Sequence, residues 1–82
     1  MVDILYEEDF QRAFSRLKHP MVKKQVLKLI SRILEHPEIG KPMRNQRKGT
    51  REVYLGSQRL SYEYDTSREL IVFLDIYHKD EQ

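Results

Sequence analysis

The sequence predicts an α+β fold: a short N-terminal strand, a helical hairpin, and then a three-stranded antiparallel meander, which form one sheet with the helices on one face. In the first half of the chain apolar residues recur at helical spacing, whereas in the second half they alternate as in strands. Eighty-two residues suffice for one sheet and a pair of helices, so we expect a single domain over residues 1–82.

The first forty residues contain a strand pattern followed by two helical patterns. Residues 2–6 are the strand candidate, and the acidic residues 7–9 suit the first turn of a helix. Pro20 is tolerated in the first turn of a second helix, which should end before Pro37. The apolar stripe of the first helix comprises Phe10, Ala13, Phe14 and Leu17, and that of the second comprises Val22, Val26, Leu29, Ile30 and Ile33.

The second half of the chain predicts two consecutive hairpins. Residues 56–57, Gly-Ser, have the composition of a tight two-residue turn. If residues 65–69 form a five-residue loop, the last strand covers residues 70–77, and its continuous apolar start is typical of a central strand. The expected pairs are Tyr54 with Arg59, Val53 with Leu60, Glu52 with Ser61, Leu70 with Tyr64, Val72 with Tyr62, Leu74 with Leu60, and Asp75 with Arg59.

This pairing assigns the side chains to two faces of the sheet. We expect the helices to cover the face of Val53, Leu60 and Val72. The opposite, open face is expected to be partly polar, and it would carry Glu52, Tyr54, Arg59, Ser61 and Glu63. Candidate functional residues should therefore be sought on the open face.

Positive charge is concentrated in one segment. Residues 41–51 carry five cations and no anion, whereas residues 52–82 carry three basic and seven acidic side chains, so the formal net charge of +2 conceals a basic patch. Such a patch favours a phosphate backbone through counterion release, although a basic loop is often only a solvated connection. If the polyanion is RNA, the candidate RNA-binding residues are Lys41, Arg44, Arg47, Lys48 and Arg51.

The composition also restricts the chemistry. The chain has no cysteine, which excludes disulfides, thiolate nucleophiles and cysteine-based zinc sites. No histidines or carboxylates are spaced as metal ligands, so we expect no metal and no cofactor, and phosphodiester cleavage would use attack by an RNA 2′-hydroxyl on its own phosphate. Neither a membrane span nor a secretory signal is evident, so a cytoplasmic protein without a membrane partner is expected.

Five side chains are candidates for such chemistry. Arg59 is suited to stabilising an anionic transition state. The candidate acids and bases are Glu52, Tyr54, His78 and Lys79. A structural interpretation competes for Arg59, because the expected pairing places Asp75 directly across from it in a cross-strand ion pair.

The order of the elements and four sequence segments resemble the RelE/ParE superfamily of toxins from type II toxin-antitoxin pairs. The segments are Ile39-Gly40-Lys41-Pro42-Met43, Lys48-Gly49-Thr50-Arg51-Glu52-Val53-Tyr54, Gln58-Arg59-Leu60-Ser61-Tyr62 and Ile76-Tyr77-His78-Lys79. The resemblance covers nearly the whole chain. It implies a metal-free, ribosome-dependent mRNA endonuclease, or mRNA interferase, that inhibits translation. Its implied partners are the ribosome, mRNA and a cognate acidic antitoxin.

Carried over by position, the resemblance assigns Arg59 to the transition-state arginine of the family. It assigns His78 to the general acid of the YoeB-like branch, and it places Lys79 where many members have arginine or tyrosine. Glu52 and Tyr54 stand where RelE-like members have two lysines, and they are the candidates for the general base. The chain also ends at residue 82, without the tyrosine-bearing tail of RelE-like members.

Two other classes of function stay open at this point. The ParE branch shares the fold but poisons DNA gyrase and lacks the nuclease residues. A third alternative is a nuclease-inactive module that is kept for antitoxin binding. The basic run and His78 favour RNA, whereas the missing lysines favour the other two classes.

Overall fold

The computed structural model describes residues 2–81 and confirms an α+β fold with two α-helices and one mixed sheet. The elements in chain order are β1 (Asp3–Tyr6), α1 (Glu8–Arg16), α2 (Pro20–Glu35), β2 (Lys41–Pro42), β3 (Thr50–Leu55), β4 (Gln58–Asp65) and β5 (Leu70–His78). Short 3-10 turns cover Asn45–Arg47 and Lys79–Glu81. The strand order is β1-β5-β4-β3-β2, in which β1 is parallel to β5 and the other neighbours are antiparallel.

Both helices begin and end where local chemistry favours it. Two carboxylates occupy the first turn of α1 and Arg16 its last turn, which complements the helix dipole. The side chain of His19 caps α2 by accepting a hydrogen bond from the backbone N–H of Met21, and Pro20 takes the first helical position. The helix ends before Pro37, as expected from the sequence.

The hydrophobic core lies between the helices and one face of the sheet. Phe73 on β5 is completely buried at its centre. Its ring lies 5.3 Å from that of Tyr6, 5.5 Å from that of Phe10 and 6.2 Å from that of Tyr62, measured between ring centroids. The apolar stripe of α2 packs on the same cluster and contributes Val26, Leu29, Ile30 and Ile33. The helix stripes predicted from the sequence therefore face the sheet.

The register of the first hairpin was predicted correctly, and that of the second was not. Tyr54 pairs with Arg59 across β3 and β4, as the tight turn requires. On β5, however, Asp75 pairs with Ser61, and Arg59 lies across from Tyr77. The connecting loop has four residues, 66–69, and a β-bulge at Ser61/Tyr62 shifts the register again within the strand. An extra residue in one strand displaces every later pair, and no local sequence signal shows where it is inserted.

Two further expectations need correction. Phe73, and not Val72, lies on the helix-covered face, because Phe73 pairs with Tyr62 while Val72 pairs with Glu63 on the opposite face. Within residues 2–81 the sheet also has five strands instead of the predicted four. The additional strand, β2, has two residues and pairs with β3, so it is too short to leave an alternating pattern in the sequence.

The two terminal strands of the sheet differ. β1 is four residues long, and all four are exposed, with Ile4, Leu5 and Tyr6 at 41%, 49% and 39% exposure. β2 is shorter and includes Pro42.

The hydroxyl of Tyr62 fastens the connection between α2 and β2 to the sheet. It donates a hydrogen bond to the carbonyl oxygen of Pro37 at 2.6 Å and accepts one from the N–H of Gly40 at 2.9 Å. A β-carbon on Gly40 would lie 2.6 Å from this hydroxyl, so only glycine fits there. The Arg51 guanidinium adds hydrogen bonds to the carbonyl oxygens of Glu38 and Gly40. Burial raises the pKa of the Tyr62 phenol.

We predict that Tyr62→Phe lowers the free energy of unfolding by about 1–3 kcal/mol, because it leaves the buried N–H of Gly40 and the part-buried carbonyl of Pro37 without their partner. Urea denaturation of the two proteins measures the difference. Tyr64→Phe is the matched control, since no hydrogen bond of the Tyr64 hydroxyl is found within residues 2–81. It should change stability by less than about 0.5 kcal/mol. Equal effects of the two substitutions would contradict the anchoring role of Tyr62.

The raised pKa of Tyr62 also predicts an alkaline limit to stability. A native pKa above the unfolded value of about 10 means that the unfolded state loses its proton first. The contribution of this residue is therefore complete below about pH 10 and is lost as the pH rises towards the native pKa. Denaturation at a series of alkaline pH values should show a steeper loss for the wild type than for Tyr62→Phe. Parallel curves would contradict this assignment.

Candidate functional site

Two rows of side chains cross the open face of the sheet, each containing one residue from β3, β4 and β5. Cross-strand neighbours lie on the same face, so the observed register defines both rows. The first row is Tyr54, Arg59 and Tyr77, and the second is Glu52, Ser61 and Asp75. The structure therefore brings together three of the predicted catalytic residues and adds Tyr77.

The segment between β2 and β3, residues 43–49, folds back over this face. Asn45 and Gly49 have positive φ angles of 60° and 96°, which turn the chain at both ends of the loop. The hydroxyl of Thr50 donates a hydrogen bond of 2.7 Å to the carbonyl oxygen of Arg47 and holds the end of the loop against β3. As a result the Arg47 side chain lies over the sheet.

Arg47 joins the two rows through its guanidinium group. Its Nη1 donates hydrogen bonds to Glu52 Oε2 at 3.0 Å and to the Tyr77 hydroxyl at 2.6 Å, and its Cζ lies 5.3 Å from the centre of the Tyr77 ring. Glu52 is only 2% exposed, whereas 45% of the Arg47 side chain is exposed. The carboxylate of Glu52 is thus buried beneath a half-exposed guanidinium.

Arg59 is fixed at the other end of the site. Its Nη1 donates to the carbonyl oxygens of Gly56 and Gln58, at 3.1 and 3.2 Å, and its Cζ lies 4.1 Å from the centre of the Tyr54 ring. The expected ion pair with Asp75 was wrong, because Asp75 lies across from Ser61. The buried Nε of Arg59 has no hydrogen-bond partner within the described part of the chain. Both hydrogen bonds of the guanidinium come from Nη1, and its Nη2 makes none within residues 2–81.

The end of β5 separates the two residues that follow Ile76. Tyr77 shares the face of Arg59, whereas His78 pairs with Gln58 and by strand alternation lies on the other side of the sheet. The Nδ1 of His78 is 3.4 Å from a carboxylate oxygen of Asp80. Lys79 is exposed, in the 3-10 turn that follows β5. The predicted register paired Arg59 with Asp75, so Tyr77 was not recognised as a neighbour of Arg59 from the sequence.

The predicted basic patch divides into exposed and engaged side chains. Arg51 donates to two backbone carbonyl oxygens on the helix side of the sheet, and Arg47 pairs with Glu52. Lys41, Arg44 and Lys48 are exposed. A depression of about 370 Å³ lies between this loop and β5, and its lining residues are Gln46, Arg47, Thr50, Ser61, Leu74, Asp75 and Tyr77.

Within residues 2–81, no three histidine, aspartate or glutamate side chains form a group that could hold a metal ion. None of the helices in this range is long and apolar enough to cross a membrane.

Solved toxin and toxin-antitoxin structures share this fold, among them the following three. A RelBE2 toxin-antitoxin complex from Mycobacterium tuberculosis matches with a TM-score of 0.83 at 24% identity, over 94% of this chain and 96% of that chain. The intact RelBE complex of E. coli matches with a TM-score of 0.80 at 18% identity, over 95% and 96%. A YoeB/ParE toxin from Agrobacterium tumefaciens matches with a TM-score of 0.83 at 11% identity, over 94% and 98%. The architecture is therefore that of the small RelE/YoeB/ParE toxins.

A family model for the ParE toxin of type II toxin-antitoxin systems matches residues 4–82. The chain belongs to this family and is a toxin of a type II toxin-antitoxin system, as its sequence motifs indicated. A sequence comparison with curated proteins found no match.

We predict that Arg47→Ala destabilises the fold, because it leaves the buried carboxylate of Glu52 without its ion-pair partner. The expected cost is about 1–3 kcal/mol of unfolding free energy, measured by urea denaturation. Arg44→Ala removes an exposed charge from the same loop and should change stability by less than about 0.5 kcal/mol. Adding Glu52→Gln to Arg47→Ala should recover part of the loss. An Arg47→Ala protein as stable as the wild type would show that the pair is unimportant to the fold.

Proposed function

We propose that this toxin is a metal-free, ribosome-dependent endoribonuclease, an mRNA interferase. The observation that carries the proposal is the row formed by Tyr54, Arg59 and Tyr77, in which an arginine stands between two tyrosines on an open sheet face and its guanidinium stacks on the Tyr54 ring. A surface of this kind can hold a phosphate and stabilise the charge that develops during its transesterification. The cationic loop beside it supports an RNA ligand.

In the proposed reaction the RNA 2′-hydroxyl attacks the adjacent phosphorus atom. The P–O2′ bond forms, the P–O5′ bond breaks, and a base takes the 2′-hydroxyl proton while an acid protonates the leaving 5′-oxygen. The products are a 2′,3′-cyclic phosphate and a 5′-hydroxyl end. Arg59 stabilises the phosphorane through its guanidinium charge and its Nη2, which makes no hydrogen bond within the described residues.

The proton-transfer roles follow from exposure and from the face on which each residue lies. Of the two predicted base candidates, Tyr54 is 51% exposed and Glu52 is 2% exposed, so Tyr54 is the one that a substrate hydroxyl can reach. Tyr77 shares the face of Arg59 and is our candidate for the acid. His78, the acid implied by the family resemblance, would have to act from the end of β5.

The exposed cations position the substrate. Lys41, Arg44 and Lys48 are placed to contact phosphates without reading bases, and Lys79 extends this surface at the end of β5. Arg51 is excluded from this group because its guanidinium is used for backbone hydrogen bonds.

An antitoxin is the proposed protein partner, and we expect it to be acidic. Two of the similar structures are toxin-antitoxin complexes. The surface of this chain also carries exposed apolar side chains, including Ile4, Leu5 and Leu27. Apolar residues of β1 and the helices line a groove of about 350 Å³. Exposed apolar surface of this kind favours a protein partner, and the cationic loop favours carboxylates on it.

A gyrase-poisoning activity is the second candidate. The observation that favours it is the buried Glu52, whose negative charge stands on the face where a nuclease has to hold phosphates. Induction of the protein in cells separates the two activities. New 5′ ends within translated messages support the nuclease, whereas DNA breaks without new RNA ends support gyrase poisoning and overturn the proposal.

We predict that Arg59→Ala lowers the rate of message cleavage by about two to three orders of magnitude, because it removes one charged contact to the transition state. Primer extension on induced messages measures this loss. Arg68→Ala, which removes an exposed cation from the opposite end of β4 and β5, should leave cleavage unchanged. A stably folded Arg59→Ala protein that cleaves normally would exclude Arg59 from the site.

Tyr77→Phe and His78→Ala test which residue at the end of β5 supplies the proton. Because Tyr77 lies on the face of Arg59, Tyr77→Phe should lower the cleavage rate about 100-fold, within the range of general acid catalysis. His78→Ala should have the smaller effect. The opposite order would assign the acid to His78 and would mean that the end of β5 rearranges on the ribosome.

A further inference from the structure

Arg47 extends from the loop of residues 43–49 across the open face and reaches the end of β5. Both of its described hydrogen bonds, to Glu52 and to Tyr77, come from Nη1. Within residues 2–81, its Nη2 and Nε make no hydrogen bond that the structure shows. A guanidinium held by one nitrogen presents its other donors in a fixed, planar arrangement that matches a phosphate.

The carboxylate beneath it explains why the guanidinium stays there. Burying Glu52 is costly unless the charge is paired, and Arg47 is its partner in a salt bridge of 3.0 Å. Free arginine side chains on a loop lose considerable rotamer freedom on binding a ligand. Because Arg47 is already held by Glu52 in the folded protein, it loses less rotamer freedom when a ligand binds.

Arg47 and Arg59 approach Tyr77 from different directions. Arg59 is the cross-strand neighbour of Tyr77 on β4, and Arg47 contacts the hydroxyl and ring of Tyr77 from the loop. In each arginine the described hydrogen bonds come from Nη1, and Nη2 makes none within residues 2–81. Two arginines that are neighbours of one tyrosine on the same sheet face suit the two non-bridging oxygens of a phosphodiester.

We propose that Arg47 binds an RNA phosphate together with Arg59, and that Glu52 is the positioning residue that holds Arg47 for this purpose. The inference rests on the proposed nuclease function and names the ligand of the same face, an RNA phosphodiester. It separates Arg47 from the exposed loop cations, which make diffuse contacts. It also gives Glu52 a role that requires neither exposure nor proton transfer.

The first test follows the arginine Nε–H signals by NMR in the full chain. The probe is a short 2′-O-methyl RNA oligonucleotide, which carries phosphodiesters but cannot be cleaved. The signals of Arg47 and Arg59 should shift together with one dissociation constant, and Arg68 should not shift. Arg47→Gln should weaken binding about tenfold or more and lower the logarithmic salt slope by roughly 0.7, whereas Arg68→Gln should do neither.

The outcomes separate this inference from the proposed function. If Arg59 shifts and Arg47 does not, Arg47 is a structural residue, the inference is overturned and the nuclease proposal survives. If the oligonucleotide shifts neither arginine, the inference is overturned, and the face loses its assignment as an RNA site.

The second test asks whether Glu52→Gln strengthens or weakens oligonucleotide binding. Removing a carboxylate from a phosphate site would strengthen binding if charge alone mattered. If Glu52 positions Arg47, Glu52→Gln instead weakens oligonucleotide binding and abolishes the Arg47 shift while the Arg59 shift remains. The double variant with Arg47→Gln should bind no more weakly than Arg47→Gln alone. Glu63→Gln, the same charge change at an exposed site on this face, is the control and should not weaken binding. A Glu52→Gln protein that binds as tightly as the wild type overturns the positioning role.

Discussion

Side chains of a strand alternate between the two faces of a sheet, and on β4 this constraint determines both the core and the site. Leu60 and Tyr62 are buried against the helices, and Arg59 and Ser61 therefore lie on the open face. A slip of one residue would bury the guanidinium and expose the tyrosine. The tight turn after β3, with Gly56 at a φ of 59°, fixes the register on which both depend.

Features of the fold that are set by neighbouring residues were predicted correctly from the sequence, and features without a local signal were not. Helix limits and the β3–β4 register are set by neighbouring residues such as Pro20, Pro37 and Gly56, so the sequence sufficed. The β4–β5 register depends on the length of the connecting loop and on a bulge within the strands, neither of which a local sequence signal shows, and its prediction failed. The expectation that Val72 faces the helices failed because the loop before β5 has four residues and not five, which shifts the pairing of Val72 by one residue before the bulge is reached.

The site was predictable only in part. Arg59 was found because it belongs to a local motif and to a correctly paired hairpin, and Tyr77 was missed because the register of β5 was wrong. The pair of Arg47 with Glu52 spans five residues across a loop with two positive φ angles. A run of charges in the sequence does not show which cation will fold inward. The basic segment is therefore less uniform than its composition indicates, since Arg47 and Arg51 are engaged with other parts of the protein.

The two edge strands of the sheet differ in how well they can pair with a strand of another molecule. At one end β2 offers two residues, and Pro42 has no N–H to donate to an incoming strand. At the other end β1 offers four residues, with exposed Ile4, Leu5 and Tyr6. Edge-to-edge pairing between free copies is therefore expected through β1, where two four-residue strands would meet, and not through the two residues of β2.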